Sequence, residues 1–297
     1  MVSENVRVCK EWFPKTNGFI MNEQLKTQLD LLIKNVVKDW DFTIIISGGG
    51  EVRVGKSVLA MQIATYWTYK IEKIHGIKVP LDIKTNIIFE WKKLIETGNA
   101  LGQKSKYCAL IYDEAGETME GTKTMRSELR SVRDYLRECG QYNFLNILVL
   151  PEYFDLPKGI ALTRSTFLLD VYYSATAEGL FNRGYFKFYS RKQKKKLYLK
   201  GKKELNYHAA PWNFDGRFPN FYPIDEGEYR ESKREALKTR EHGKKDVLLE
   251  VRNVLFWLLC GRFKMKQNEI IKIIKEETGL EFTRQMISKA IAPRTSK

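Results

Sequence analysis

The sequence has few of the features that would stabilise a secreted protein or anchor one in a membrane. Its four cysteines, at positions 9, 108, 139 and 260, are far apart and form no CxxC pair, which indicates neither a disulfide framework nor a zinc site. The longest hydrophobic run near the C-terminus, Val254 to Cys260, is far too short to cross a bilayer, and the N-terminus lacks a signal peptide's apolar segment. We therefore expect a soluble protein of the cell interior, with no membrane span.

Acidic residues are scarce relative to basic ones. The chain carries 51 lysines and arginines against 36 aspartates and glutamates, a formal net charge of +15. Such an excess favours a polyanionic partner, either nucleic acid or an acidic membrane surface. A lysine-rich surface that only keeps the protein soluble is an equal alternative. The length of 297 residues and 43% hydrophobic content suit one large α/β domain with a smaller one beside it.

The stretch 50–57, GEVRVGKS, has the G-x-x-x-x-G-K-[ST] form of a phosphate-binding P-loop, or Walker A motif. A β-branched run at 42–46 precedes it and a helix-forming run at 57–64 follows, which is the strand–loop–helix context that the motif requires. The loop amides and the helix N-terminus would hold an anion. Lys56 would reach the β- and γ-phosphates of ATP, and the Ser57 hydroxyl would ligate Mg²⁺. The predicted ATP-binding residues are Gly50, Glu51, Val52, Arg53, Val54, Gly55, Lys56, Ser57 and Val58.

A second motif, of the Walker B type, ends the apolar strand at 107–112 with Asp113 and Glu114. Carboxylates at the C-terminal edge of a strand lie where α/β sheets bind ligands. Asp113 would hold the Mg²⁺ shell, and Glu114 would act as the general base that orients the attacking water. An acidic pair favours a hydrolysing NTPase over a nucleotide-transfer kinase. The alternative is an ordinary solvated strand end.

Other polar residues near predicted strand ends are weaker candidates. Asn146 or Glu152 would sense the γ-phosphate, and Arg164, just before the strand at 166–173, is a candidate arginine finger or an ordinary surface arginine. The predicted helix at 125–139 carries arginines on one face, which is either solvated or directed toward DNA or a neighbour's ATP. These arginines are Arg126, Arg130, Arg133 and Arg137.

Two basic segments are candidates for contacts with DNA. The pattern at 184–203 predicts a β-hairpin whose turn, 191–196, presents Lys194 and Lys195 to phosphates, or to solvent only. Near the C-terminus, two short helices around Gly279 have the pattern of a helix-turn-helix. A three-helix cap for protein contacts is the alternative. The residues expected to face the major groove are Arg284, Gln285, Ser288 and Lys289.

The chain is thus divided into four predicted parts. An N-terminal arm occupies 1–20, and a P-loop ATPase domain with the basic hairpin extension occupies 21–228. A charged linker follows at 229–245, and a small all-α helix-turn-helix domain occupies 246–297. The expected fold class of the large domain is α/β, with a mainly parallel sheet flanked by helices.

The Walker A segment, the Asp113-Glu114 pair and the run from Arg130 through the strand ending at Pro151 to Arg164 resemble P-loop ATPases of the HerA/FtsK type. The resemblance is in particular to the ATPases of this type in viruses, phages and conjugative or integrative elements. The resemblance covers about residues 20–175. It implies a RecA-like core with additional strands between the Walker strands, homo-oligomers such as hexameric rings, and ATP-driven pumping of DNA. In a virus, the protein would act in the interior of the host cell.

By motif, the resemblance assigns the family's site to Lys56, Ser57, Asp113 and Glu114. Two positions depart from the family pattern. Val54 stands where a small residue is usual, and the strand after Walker B ends in Pro151-Glu152 where the family has glutamine. Both departures concern how the site senses the nucleotide.

Three functions agree with these patterns. The first is a Mg²⁺-dependent ATPase that couples turnover to DNA translocation, in packaging or transfer for a mobile element or virus. The second is a replication initiator or DNA-bound regulator that reads a site with its C-terminal helices. The third is a nucleotide-binding assembly factor in virion morphogenesis, against which Glu114 argues.

Overall fold

The computed structural model describes residues 4–51, 53–113, 123–278 and 280–295, with the side chains of 123–129, 239–248, 278 and 293–295 excepted. The chain forms two compact units, Met1–Ser232 and Lys233–Lys297. Within the described residues, the structure contains no helix with the length and apolar character needed to cross a membrane.

A seven-stranded sheet forms the centre of the first unit, in the order β4-β5-β6-β3-β7-β8-β9. The five strands from β4 to β7 in this order are parallel, and β8 and β9 continue the sheet antiparallel. Strand β6 therefore lies between β3 and β5, the strands that lead into the two predicted motifs. The bounds are β3 Phe42–Ser47, β4 Ile87–Ile88, β5 Ala109–Tyr112, β6 Leu145–Val149, β7 Leu168–Ala175, β8 Phe181–Tyr189 and β9 Phe214–Arg217.

The parallel strands β3, β5 and β6 are buried along nearly their whole length, as expected for a sheet covered on both faces. The helices of this unit follow the strands, and α2 is buried over most of its length. Helix α2 lies next to β3 because a short glycine-rich loop joins the two. The bounds are α1 Glu23–Val36, α2 Lys56–His75, α3 Ile83–Asn86, α4 Trp91–Lys104, α5 Lys123–Glu138 and α6 Arg191–Gly201.

Helix α1 forms as its sequence predicts. The side chain of Asn22 accepts a hydrogen bond from the backbone N–H of Leu25 at 2.9 Å and so caps the first turn. The apolar residues that recur at helical spacing are buried, and they are Leu25, Leu29, Leu32, Ile33 and Val36. The segment predicted as an arm contains β1 (Asn5–Val8), which pairs antiparallel with β2 (Phe19–Asn22) in a small separate sheet.

The predicted basic hairpin at 184–203 is wrong. Strand β8 forms its hairpin with the preceding strand β7, and the basic run that follows is the helix α6. The physical reason is the spacing of the residues that become buried, which lie at positions i, i+3, i+4 and i+7 and are Lys194, Leu197, Tyr198 and Gly201. A helix places all four against the domain, whereas a strand would alternate them between two faces.

The predicted linker at 229–245 is part of one helix, α7 (Glu226–Trp257), which also includes most of the predicted first C-terminal helix. Glutamate, lysine and arginine are good helix formers, so a charged segment continues the helix. In the second unit, α8 (Gln267–Thr278) and α9 (Arg284–Thr295) pack around a small apolar core. The buried residues of this core are Phe256, Ile270, Ile287 and Ala290.

Candidate nucleotide site

The predicted P-loop connects β3 to α2, with Gly55 as the residue before the first helical turn. Gly55 has a φ of 104°, a conformation that L side chains rarely adopt. At Gly48 a Cβ atom would lie 2.9 Å from the carbonyl oxygen of Val171, so the neighbouring strand β7 leaves room only for glycine. The glycines thus permit a tight loop at the C-terminal edge of the parallel strands.

The loop is fixed to the residue that follows β6. The backbone N–H groups of Gly48 and Gly50 donate to the carbonyl oxygen of Pro151 at 3.3 and 2.9 Å. The amine of Lys56 donates to the carbonyl oxygen of Glu51, inside the loop itself. Lys56 therefore lies within the loop where an anion would be held, at the N-terminus of a 20-residue helix.

Asp113 and Ser57 meet although 56 positions separate them. The Ser57 hydroxyl donates to Asp113 Oδ1 at 3.1 Å, and Asp113, which follows β5, is almost fully buried. A hydroxyl and a carboxylate are hard oxygen donors of the kind that Mg²⁺ prefers. The chemistry of this pair fits the magnesium ion that the sequence predicts.

The remaining predicted nucleotide-binding residues lie around this pair. Val54 and Val58 are buried, Gly50 and Arg53 are exposed, and Glu51 is half-buried. Val52 and Glu114 lie outside the described residues.

The first unit has an α/β fold with the sheet arrangement of a RecA-like core. Its parallel sheet is flanked by helices, an additional strand lies between the strands of the two motifs, and the glycine loop and Asp113 share one edge. The predicted fold class of the large domain is therefore confirmed.

No protein-family model matches the chain, and no curated protein matches it. Among solved structures, B204, the DNA-packaging ATPase from Sulfolobus turreted icosahedral virus, matches at 16% identity with a TM-score of 0.35, covering 52% of this chain and 95% of that one. The genome-packaging NTPase B204 from Sulfolobus turreted icosahedral virus 2, in complex with AMP, matches at 15% identity and a TM-score of 0.31, with the same coverage. Likeness this weak does not carry a function from those proteins to this one.

Two acidic residues lie close to the loop, and the pKa of each is raised by burial. Glu152 accepts a hydrogen bond from the hydroxyl of Tyr207, and burial raises its pKa above the ordinary value. Asp170 lies opposite Ser47 in the register of β7 with β3. Burial raises the pKa of Asp170 to about 7, although the positive charge of Lys187 acts to lower it. Protonation of Asp170 would therefore change near neutral pH.

Sequence reasoning missed Tyr207 and Tyr229. The Tyr207 hydroxyl accepts a hydrogen bond from the N–H of Tyr153 at 2.9 Å and lies 3.4 Å from Ser47 Oγ, just before the loop. The Tyr229 hydroxyl donates to Asp113 Oδ2 at 2.6 Å. Tyr207 comes from a segment without periodicity and Tyr229 from the predicted linker, so neither position carried a sequence signal.

Asn146, one of the two predicted sensors, is buried within β6 and pairs in register with Thr43, near the start of β3. Its side-chain amide donates to the sulfur of Cys139 at 3.7 Å. Asn146 therefore lies away from the loop, whereas Glu152 lies beside it.

The predicted arginine face of helix α5 contains an ion pair within the helix. Arg133 pairs with Asp134 at 2.9 Å, as expected if this face is solvated and does not contact DNA.

The structure places Arg164 where it does not act on the nucleotide of its own copy, and action on a neighbouring copy stays a prediction. Arg164 forms an ion pair with Asp41, which precedes β3, whereas the P-loop follows β3. The six-residue strand between them spans roughly 20 Å at about 3.3 Å per residue. In a parallel sheet, residues that precede a strand and loops that follow a strand lie at opposite edges. Arg164 is therefore remote from the nucleotide site of its own copy, and its guanidinium already forms the ion pair with Asp41.

Replacing Arg164 with alanine is expected to affect stability and not turnover. The change leaves Asp41 half-buried without its partner, and burial already raises the pKa of that carboxyl. We expect the free energy of unfolding to fall by about 1–3 kcal/mol. Urea unfolding of Arg164→Ala, Asp41→Asn and the double variant measures the coupling, and ATP turnover is recorded per folded molecule. A large loss of turnover without a loss of stability would support Arg164 as an arginine finger that acts on a neighbouring copy.

The structure contradicts Lys194 as a contact for DNA, since its side chain has no exposed surface. Its amine donates to the carbonyl oxygen of Ala161 at 2.6 Å, and burial lowers its pKa to about 7. Lys195, the next residue, is exposed on α6 and stays a candidate.

Replacing Lys194 with methionine is expected to stabilise the protein. The Ala161 carbonyl keeps hydrogen bonds from the hydroxyls of Tyr153 and Ser165, so no acceptor is left unpaired. Folding lowers the pKa of Lys194, so above about pH 7 the folded wild-type protein binds fewer protons than the unfolded protein does. The free energy of unfolding of the wild type therefore increases as the pH rises toward the ordinary lysine pKa. We expect a gain of roughly 2–4 kcal/mol at pH 7 that shrinks by pH 10.

Urea unfolding at several pH values tests this expectation, with Lys195→Met as the control at an exposed position of the same helix. The control should change the free energy of unfolding by less than about 0.5 kcal/mol. A Lys194→Met variant that is less stable than the wild type at pH 7 would show that the lysine contributes more than its burial costs.

The four predicted DNA-contact residues of the second unit are all exposed on α9, while Ile287 and Ala290 of the same helix are buried. Thr283 caps the helix, its hydroxyl accepting a hydrogen bond from the N–H of Met286 at 3.3 Å. Two of the four contact α8. Arg284 donates to the side-chain oxygen of Asn268, and Ser288 lies 3.1 Å from the side-chain nitrogen of Gln267. The other two predicted DNA-contact residues are Gln285 and Lys289.

Proposed function

We propose that the protein binds ATP together with Mg²⁺, hydrolyses it, and couples the turnover to the movement of DNA, in packaging or transfer for a virus or mobile element. The observation that carries the proposal is the hydrogen bond between Ser57 and Asp113 beside the glycine loop. It brings together the two oxygen ligands that motifs 56 residues apart predict separately.

We assign a role to each residue of the site. The loop amides and Lys56 hold the phosphates, and Ser57 with Asp113 would hold Mg²⁺, which neutralises charge on the phosphates when bound. Glu114, directly after Asp113, orients and deprotonates the attacking water. This last role rests on the sequence position alone.

The coupling to DNA rests on charge. A net charge of +15 favours a polyanion, and exposed candidates for phosphate contacts are Lys195 on α6 and Lys289 on α9. A homo-oligomer, such as a hexameric ring, would allow successive copies to pass the DNA along.

The test is ATP turnover with and without double-stranded and single-stranded DNA, at several salt concentrations, with oligomeric state measured in parallel by light scattering. Turnover stimulated by DNA of any sequence, in an oligomer, is expected. A strictly monomeric protein whose turnover ignores DNA would contradict the coupling, and a protein without turnover would contradict the ATPase itself.

A second function is favoured by the exposed polar face of α9. If the C-terminal helices read a DNA site, the protein is an ATP-dependent replication initiator or regulator. That function predicts tight sequence-specific binding, whereas a motor predicts weak, salt-sensitive binding that ignores sequence. Selection of bound fragments from a random DNA pool by the full chain separates the two.

A further inference from the structure

A buried tyrosine shares the carboxylate that the site offers to magnesium. The Tyr229 hydroxyl donates to Asp113 Oδ2 at 2.6 Å, while Ser57 donates to the other carboxylate oxygen at 3.1 Å. Tyr229 is only 5% exposed and Asp113 1%. At such burial a phenol–carboxylate hydrogen bond is short, strong and directional, so it fixes the plane of the carboxylate.

The backbone and ring of Tyr229 are held in place independently of Asp113. The residue lies in the first turn of α7, where the Asp225 side chain caps the N–H of Glu228 at 2.7 Å. Its ring lies 6.1 Å from that of Phe89, which follows β4, and 6.3 Å from that of Tyr222. These contacts hold the tyrosine in addition to its hydrogen bond to the carboxylate.

The chain that leads to Tyr229 is fixed to the helix of the P-loop. The side-chain amide of Gln62, on α2, donates to the carbonyl oxygens of Pro219 and Phe221, both at 2.8 Å. The ring of Phe218 lies against Gly55, where a Cβ atom would be 3.1 Å away. The segment 218–229 therefore follows the site from the start of α2 to the end of β5.

We infer that Tyr229 is a positioning residue for Asp113 and makes the first turn of α7 part of the nucleotide site. The inference rests on the proposed function, since it concerns how the site holds Mg²⁺ with a nucleotide. The hydrogen-bond partners of a metal-binding carboxylate set its orientation and basicity, and their loss typically lowers metal affinity by about 10–100-fold. Removal of the hydroxyl should weaken the magnesium-dependent part of nucleotide binding and no other part.

The test compares Tyr229→Phe with the wild type in equilibrium binding of a fluorescent ATP analogue, with Mg²⁺ and again with EDTA. We expect affinity to fall by about 10-fold with Mg²⁺ and to be unchanged with EDTA. The matched control is Tyr142→Phe, which removes a hydroxyl bonded to Asn99 at 3.3 Å before β6, at the opposite edge of the sheet. Thermal unfolding confirms that both variants fold.

A second measurement uses the wild type alone. Amide hydrogen exchange in residues 226–232 is expected to change when Mg²⁺ and ATPγS are added together, and not when ATPγS is added with EDTA. Equal affinity of Tyr229→Phe and wild type with Mg²⁺, or unchanged exchange in 226–232, overturns the inference while the proposed function stands. A wild type that binds no nucleotide overturns both.

Discussion

Replacing Lys56 with alanine is expected to lower ATP turnover by about 100-fold or more, because a fixed positive charge at the phosphates is lost where it stabilises the transition state. The structure places this amine inside the loop, on the carbonyl oxygen of Glu51, at the first residue of α2. It therefore has little distance to travel to a phosphate. The measurement is steady-state phosphate release at saturating and limiting ATP.

The matched control is Lys104→Ala, an exposed lysine at the end of α4, on the side of the sheet where β5 begins. It should retain wild-type turnover, which separates the loss of this particular amine from the loss of one positive charge. Wild-type turnover in Lys56→Ala would mean that the phosphates are held elsewhere, and the site assignment would fall.

Replacing Glu114 with glutamine is expected to reduce hydrolysis by roughly 10²–10⁴-fold while nucleotide binding persists. Glutamine keeps the size and a hydrogen-bonding oxygen of the side chain but cannot accept the proton of the attacking water. Single-turnover hydrolysis and equilibrium binding of ATP, measured on the same preparation, distinguish the two effects.

The control for this variant is Glu138→Gln, an exposed position at the end of α5. If Glu114→Gln hydrolyses ATP at the wild-type rate, Glu114 is not the base. Glu152 would then become the next candidate, because burial raises its pKa and it lies directly after Pro151, which holds the loop. If replacing either carboxylate left the rate of ATP hydrolysis unchanged, the result would favour the nucleotide-binding assembly factor.

The P-loop was predictable because its signal is local. Strand β3, the glycines and the start of α2 follow one another within residues 42–57, and the fold must place Asp113 at the same edge once both strands are parallel. The same rule also indicates that Arg164, which precedes its strand, lies at the other edge. The sequence therefore already indicated that Arg164 does not reach the nucleotide of its own copy.

Other features could not be obtained from the sequence. The basic run of α6 contains too few hydrophobic residues to show the 3.6-residue period of a helix. Lys194 is buried within it, whereas lysine side chains are almost always exposed. Tyr207 and Tyr229 reach the site through tertiary packing of an irregular segment and the start of a charged helix. Neither local propensity nor spacing encodes such contacts.

The two outermost strands of the seven-stranded sheet have a consequence for assembly. Strand β4 has two residues and β9 has four, so in the described part of the chain neither edge offers a long row of free backbone groups. Copies of the protein therefore have little opportunity to join by extending the sheet from one molecule to the next, the route by which exposed edges cause aggregation. The proposed ring would therefore join its copies mainly through the side-chain surfaces of helices and loops.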